Sequence, residues 1–239
     1  MIDTHSHLFV EEFDEDLPAV IERARDSGVS KVFMPNIDDT TVEAMLNVCT
    51  AYKGYCFPMI GFHPTSVGAD SLFRIYEMKK LLSGEHPFVA VGEVGMDLYW
   101  DKTYLKEQQK ALDIQIQWAL EYHLPLVLHC REAFPELFEV MEPYKKTELS
   151  GIFHSFTGTL EEAGQVLEYA RFFFGINGVV TFKKSSLAEV LPHIPLGRIV
   201  LETDSPYLAP VPFRGKRNES SYIKLSLIHI SEPTRLGMI

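Results

Sequence analysis

Five of the nine histidines stand at the exits of short apolar runs. His5 and His7 follow Met1-Ile2, His63 follows residues 57–60, His129 follows 126–128, and His154 follows Ile152-Phe153. Two more runs lead to carboxylates: residues 89–92 reach Glu93, and 199–201 reach Glu202 and Asp204. Imidazole and carboxylate together form a ligand set for divalent metal.

Each of these groups has a plainer alternative. His5-Ser6-His7 places two imidazoles on one side of an extended chain, because side chains alternate with a period of two. The pair can reach one ion or make local polar contacts. Glu93 closes an apolar run, where an unpartnered carboxylate would be strongly penalised; a metal or a buried arginine would relieve it. His129 and His154, taken singly, also fit core histidines bonded to carbonyls. Glu202 and Asp204 face the same side two residues apart, with Asp204 nearer the mouth. Asp204 can then ligate while Glu202 orients a histidine from behind, although Glu202-Thr203-Asp204 also reads as a polar turn before Ser205-Pro206. His63, before Pro64, is a ligand or a group that touches substrate.

Such a convergence needs a scaffold that brings many strand ends together. Eight apolar runs, at residues 1–4, 31–34, 56–61, 89–92, 126–128, 151–153, 172–176 and 199–201, alternate with amphipathic stretches. The stretches at 17–27, 41–52, 71–82, 106–122, 132–141, 160–169 and 186–191 carry helical periodicity, and Thr40 with Glu43 has the spacing of a capping box. Nearly all-apolar strands suit a parallel sheet covered on both faces. The pattern predicts an α/β fold, a (β/α)8 TIM barrel, in which reactive groups gather at the C-terminal ends of the strands. Every histidine and carboxylate named above lies at that end of its run.

The length of 239 residues suits one such domain, and 46% hydrophobic residues supply a core. A formal net charge of −11 argues against a protein that coats nucleic acid through a broad basic surface. It does not exclude a nucleic-acid substrate, because bound cations would reverse the local sign of an acidic cleft. Three cysteines without metal-site spacing, no signal segment and no run of membrane-spanning length predict a reduced cytoplasmic protein with no membrane association. No obligatory protein partner is evident.

Taken in order, the motifs Ile2-Asp3-Thr4-His5-Ser6-His7, Ile60-Gly61-Phe62-His63-Pro64, Val91-Gly92-Glu93-Val94-Gly95-Met96-Asp97, Leu128-His129-Cys130-Arg131, Phe153-His154-Ser155-Phe156-Thr157-Gly158 and Leu201-Glu202-Thr203-Asp204-Ser205-Pro206-Tyr207 resemble the TatD-type DNases, metal-dependent hydrolases of the amidohydrolase-like barrels. The resemblance implies two divalent cations (Zn, Mg or Mn) bridged by Glu93, with His5, His7 and Asp204 around one and His129 and His154 around the other. Glu93, in place of the carboxylated lysine of many related hydrolases, points to the TatD-like branch. His63, Arg131, Ser155 and Arg214 are implied as grips on a substrate phosphate. The implied reaction is attack of an activated water on a DNA phosphodiester at an exposed or single-stranded end, with Asp204 taking the water's proton. Rival readings with the same site are hydrolysis of another ester, such as D-aminoacyl-tRNA or a small phosphoester, or an inactive metal-binding barrel.

The C-terminus breaks the βα pattern. Residues 225–235 match the translation of a sequencing-library adapter, so residues 1–224 are read as the hydrolase barrel and 225–239 as a non-native tail. On that reading the final amphipathic helix, which should cover the first and eighth strands, is expected to be missing. A genuine strand over 225–230 is the alternative.

Overall fold

The apolar runs become eight strands in the computed structural model, which describes residues 1–231: β1 (Ile2–Asp3), β2 (Lys31–Met34), β3 (Cys56–Pro58), β4 (Val91–Asp97), β5 (Leu126–Arg131), β6 (Gly151–Phe153), β7 (Phe172–Ile176) and β8 (Ile199–Leu201). Helices α1 (Leu17–Asp26), α2 (Val42–Ala51), α3 (Ser71–Lys79), α4 (Leu105–Glu121), α5 (Phe134–Met141), α6 (Leu160–Leu167) and α7 (Leu187–Val190) fill the crossovers, and α8 (Ile223–Ser231) follows the long loop after β8. All strand pairs are parallel, in the orders β1-β2-β3 and β4-β5-β6-β7-β8. Single parallel bridges join the two sheets, Ile60 with Val91 on one side and Ser6 with Ser205 on the other. The result is the α/β barrel predicted from the sequence.

Two strands run further than the sequence predicts. β4 continues through Glu93 to Asp97 and β5 through His129 to Arg131, paired residue for residue from Val94–Leu128 to Asp97–Arg131. A charge in an apolar run reads as an end, but here parallel pairing carries the strand past it. His129 is therefore held by ladder backbone, whereas Glu93 N donates to the Asn36 carbonyl at 3.0 Å. The register shifts between Val91 and Val94, a bulge around Glu93 of the kind that re-aims a side chain.

The seam between β1 and β8 is closed by the segments that carry candidate ligands. His7 N donates to the Ser205 carbonyl at 2.8 Å and Asp204 N donates to the His5 carbonyl at 2.9 Å. Beneath them the buried Asp3 carboxylate accepts from Thr203 N at 2.9 Å and from the Thr203 hydroxyl at 2.6 Å. Burial pushes the Asp3 carboxyl up to about 7 in spite of these bonds.

Two local expectations are corrected. Thr40 does not cap α2; its hydroxyl donates to Asp38 at 2.6 Å, and Thr41 is the N-cap residue. A capping box forms instead at Thr159 and Glu162 of α6. A helix, α8, stands where the closing helix is expected to be missing, and residues 232–239 lie outside the described residues. Among the described residues no helix is long and apolar enough to cross a membrane.

Candidate metal centre

Glu93 is the hub. Its side chain is buried, and its two carboxylate oxygens face different histidines. Oε2 lies 3.1 Å from His5 Nε2 and 3.6 Å from His7 Nε2. Oε1 lies 3.0 Å from His129 Nδ1, 3.4 Å from His63 Nε2 and 3.7 Å from His154 Nε2. Burial alone would raise the Glu93 carboxyl, but His5, His63 and His154, with a hydrogen bond from His129, hold it well below the usual carboxylate range.

Asp204 closes the first half of the cluster. Its Oδ1 stands 3.6 Å from His7 Nε2, 3.7 Å from His154 Nε2 and 3.8 Å from His5 Nε2. The His5 and His154 rings stack with centroids 3.3 Å apart. Burial opposes charge on both rings, and their responses diverge. Burial and the neighbouring His154 lower His5, whereas Glu202, Glu93 and Asp204 outweigh burial at His154 and push it up to about 10.

Glu202 lies behind His154. Its Oε1 lies 3.0 Å from His154 Nδ1 and accepts from Ser155 N at 2.6 Å. A Cβ at Gly175 would collide with the Glu202 carboxylate, so β7 needs glycine to admit that side chain.

Asp97 received no role from the sequence. It is buried, and its Oδ2 lies 2.9 Å from His129 Nε2 on the side of the ring opposite Glu93. Burial would raise its carboxyl, but His129 overrides this and holds it low. The signal was present: in a strand, Glu93, Gly95 and Asp97 share one face. Gly95 between them sits at φ +138°, where any Cβ would collide with the His129 carbonyl. A carboxylate fixing the far nitrogen of an imidazole is the arrangement that orients a histidine for metal.

Of the residues implied to grip substrate, His63, Arg131 and Ser155 line the cavity of about 630 Å³ that opens over Glu93. His63 is fixed by Thr65, whose hydroxyl lies 2.7 Å from Nδ1. Ser155 accepts from Asn177 Nδ2 at 2.8 Å. Arg214 is not in the cavity lining; its guanidinium lies 3.7 Å from the centre of the Phe182 ring.

The donor set fits a metal. His5, His7 and Glu93 bring ligand atoms within 4.8 Å of one another, as do His63, Glu93 and His129, and as do His5, His154 and Glu202. Among the described residues the Nδ1 atoms of His5 and His7 are buried without a hydrogen-bond partner, while their Nε2 atoms face the carboxylates.

Histidines and carboxylates converging at the C-terminal ends of eight parallel strands define a barrel of the metal-dependent hydrolase kind. The sequence model for TatD related DNase matches residues 2–237. A Bacillus subtilis protein named uncharacterized metal-dependent hydrolase YabD is 36% identical over 233 residues, covering 97% of this chain and 90% of its own length. A Pantoea ananatis protein named 3'-5' ssDNA/RNA exonuclease TatD is 32% identical over 235 residues, with 93% and 87% covered. The crystal structure of YJJV, a TatD homolog from Escherichia coli, superposes with a TM-score of 0.87 at 27% identity, covering 98% of this chain and 90% of that one. The chain belongs to the TatD-related DNase family of metal-dependent hydrolases.

Proposed function

We propose that this protein hydrolyses DNA phosphodiester bonds, cutting single-stranded DNA from an exposed end. The observation that carries the reading is the division of the histidines between the two oxygens of Glu93, which suits two cations sharing one carboxylate. His5, His7 and Asp204 would hold one cation, and His129 and His154 the other. When bound, divalent cations of the zinc, magnesium or manganese type would acidify a water and neutralise phosphate charge.

The chain's own groups do the rest. Asp204, whose Oδ1 faces His5, His7 and His154, accepts the proton of the attacking water through its carboxylate oxygen. Glu202 and Asp97 keep His154 and His129 in orientation. His63 and Arg131, on the cavity wall, donate to the phosphate oxygens, and Ser155 offers a third donor. The name of the Pantoea relative supports a single-stranded nucleic-acid substrate. Buried free Cys49, Cys56 and Cys130 suit a reducing, cytoplasmic setting.

The test is hydrolysis of single-stranded DNA, D-aminoacyl-tRNA and small phosphodiesters by protein loaded in turn with zinc, magnesium and manganese. Metal-dependent release of nucleotides from an end, abolished by chelator, is expected. Faster turnover of the aminoacyl ester, or of none of the three, would overturn the reading.

A further inference from the structure

Directly after β4, Leu98 N donates to the Arg131 carbonyl and Tyr99 N to Asp97 Oδ1, each at 3.0 Å, so the strand exit is fastened to the site's own wall. It carries two adjacent aromatic residues to the rim: Tyr99 is 47% exposed and Trp100 is 72% exposed. Exposed aromatic surface of this size usually has a purpose. The two rings meet edge to face, with centroids 4.8 Å apart at 87°. Arg131 lies over the Tyr99 ring at 3.7 Å and 5.3 Å from the Trp100 ring. Trp100 and Arg131 line the cavity that holds His63, Glu93, His129 and Asp204.

Among the described residues Arg131 makes no close ion pair with a carboxylate, although its charge helps to lower the Asp97 carboxyl; aromatic faces hold its guanidinium and leave N–H groups available for an anion. With one Tyr99 face taken by Arg131 and the rings perpendicular, the indole of Trp100 offers a broad open surface. A cation and a free aromatic face, side by side at the mouth of a phosphodiesterase cavity, match one nucleotide: phosphate to the guanidinium, base to the indole.

We propose that Tyr99, Trp100 and Arg131 form a stacking shelf that takes one unpaired nucleobase of the strand whose phosphate enters the cavity. The proposal rests on the nuclease reading and deepens it, because it supplies a reason for a single-stranded end. A base within a duplex has both faces covered by its neighbours, whereas a frayed or single-stranded base can stack on an aromatic side chain irrespective of its identity. Tyr99 braces the arginine and the indole, and Trp100 makes the contact.

The experiment pairs kinetics with fluorescence on the metal-loaded full chain. Short single strands carry either a normal 3′ end or terminal abasic nucleotides with the same phosphates. Trp100→Ala is expected to raise KM on the normal strand about tenfold, the size of one lost base stack, and Trp100→Phe to restore most of it. Abasic ends should raise KM about tenfold in the native protein and no further in Trp100→Ala. Trp118 is only 1% exposed, so quenching of emission by an uncleavable phosphorothioate strand reports on Trp100, and an abasic phosphorothioate strand should quench little. Equal KM for native protein and Trp100→Ala on the normal strand, or equal quenching by normal and abasic strands, would overturn the shelf. Metal-dependent cleavage of the abasic strand in that case would leave the nuclease reading standing. Absence of cleavage of either strand would sink the nuclease reading, while the quenching comparison would still decide the shelf.

Discussion

At the mouth of the barrel His5, His7, His63, His129 and His154 share a buried space with Glu93, Asp97, Glu202 and Asp204, whereas at the C-terminal helix the contacts are apolar. Around Glu93 each carboxylate oxygen faces imidazole nitrogens. Along α8 the chemistry and the geometry disagree. Its inward positions are Ile223 at 0% exposure, the buried Ser226 and the partly buried Ile230, while Ile228 is 53% exposed. Ile223, Leu225 and Leu227 recur with a strand-like period of two, which a helix spreads around its circumference. One region is written residue by residue for its place; the other occupies its place with a pattern suited to another conformation. The contrast teaches that the site stands on strands and their exit loops, while α8 contributes cover over β8 and the turn at Gly178–Thr181.

Substitutions can break or sharpen that contrast. The largest effect is expected at the hub: Glu93→Gln or His154→Ala should lower metal-dependent hydrolysis at least about a thousandfold, as when a member of a catalytic unit is lost, with circular dichroism unchanged. Full activity in either variant would show that the substituted residue is not part of the metal centre. Next, Ile223→Ala removes a fully buried side chain and should destabilise by roughly 3 kcal/mol, read as a lower melting temperature with kcat retained at low temperature. If hydrolysis fell before stability did, the helix would belong to the site after all.

Asp97→Asn sharpens the mouth side. It keeps the shape but removes the charge that fixes His129, so metal affinity should fall about 10- to 100-fold, measured by competition with a chelating dye. An affinity equal to that of the native protein would reduce Asp97 to a packing residue. The smallest effect is expected at Ile228→Glu, which lies on the water-facing side of α8 and should shift stability by less than about 0.5 kcal/mol. A large loss there would mean that this face is covered in solution.

Much of the mouth was legible because the types of its residues conflict with their surroundings. His5, His7, Glu93, His129, His154, Glu202 and Asp204 interrupt or terminate apolar runs, and a charge placed there needs a partner. Asp97 is hidden in the sequence because the apolar run before it ends at Glu93, and only counting by twos along the longer strand β4 reaches it. The end of the chain was legible as an anomaly of pattern, but not as a helix, since its alternation favours an extended segment and tertiary packing overrode it.

The amino-acid sequence by itself determined the barrel, the order of its strands and the identity of the chemical groups, because hydrophobic periodicity and buried charge are local properties of the chain. Only the tertiary structure decided which oxygen of Glu93 faces which imidazole, that Asp97 holds His129, that Arg214 lies against Phe182 rather than in the cavity, and that Arg131 lies beside Trp100. Those facts depend on strand stagger and on rotamers set by neighbours far away in the chain, and no local pattern encodes them.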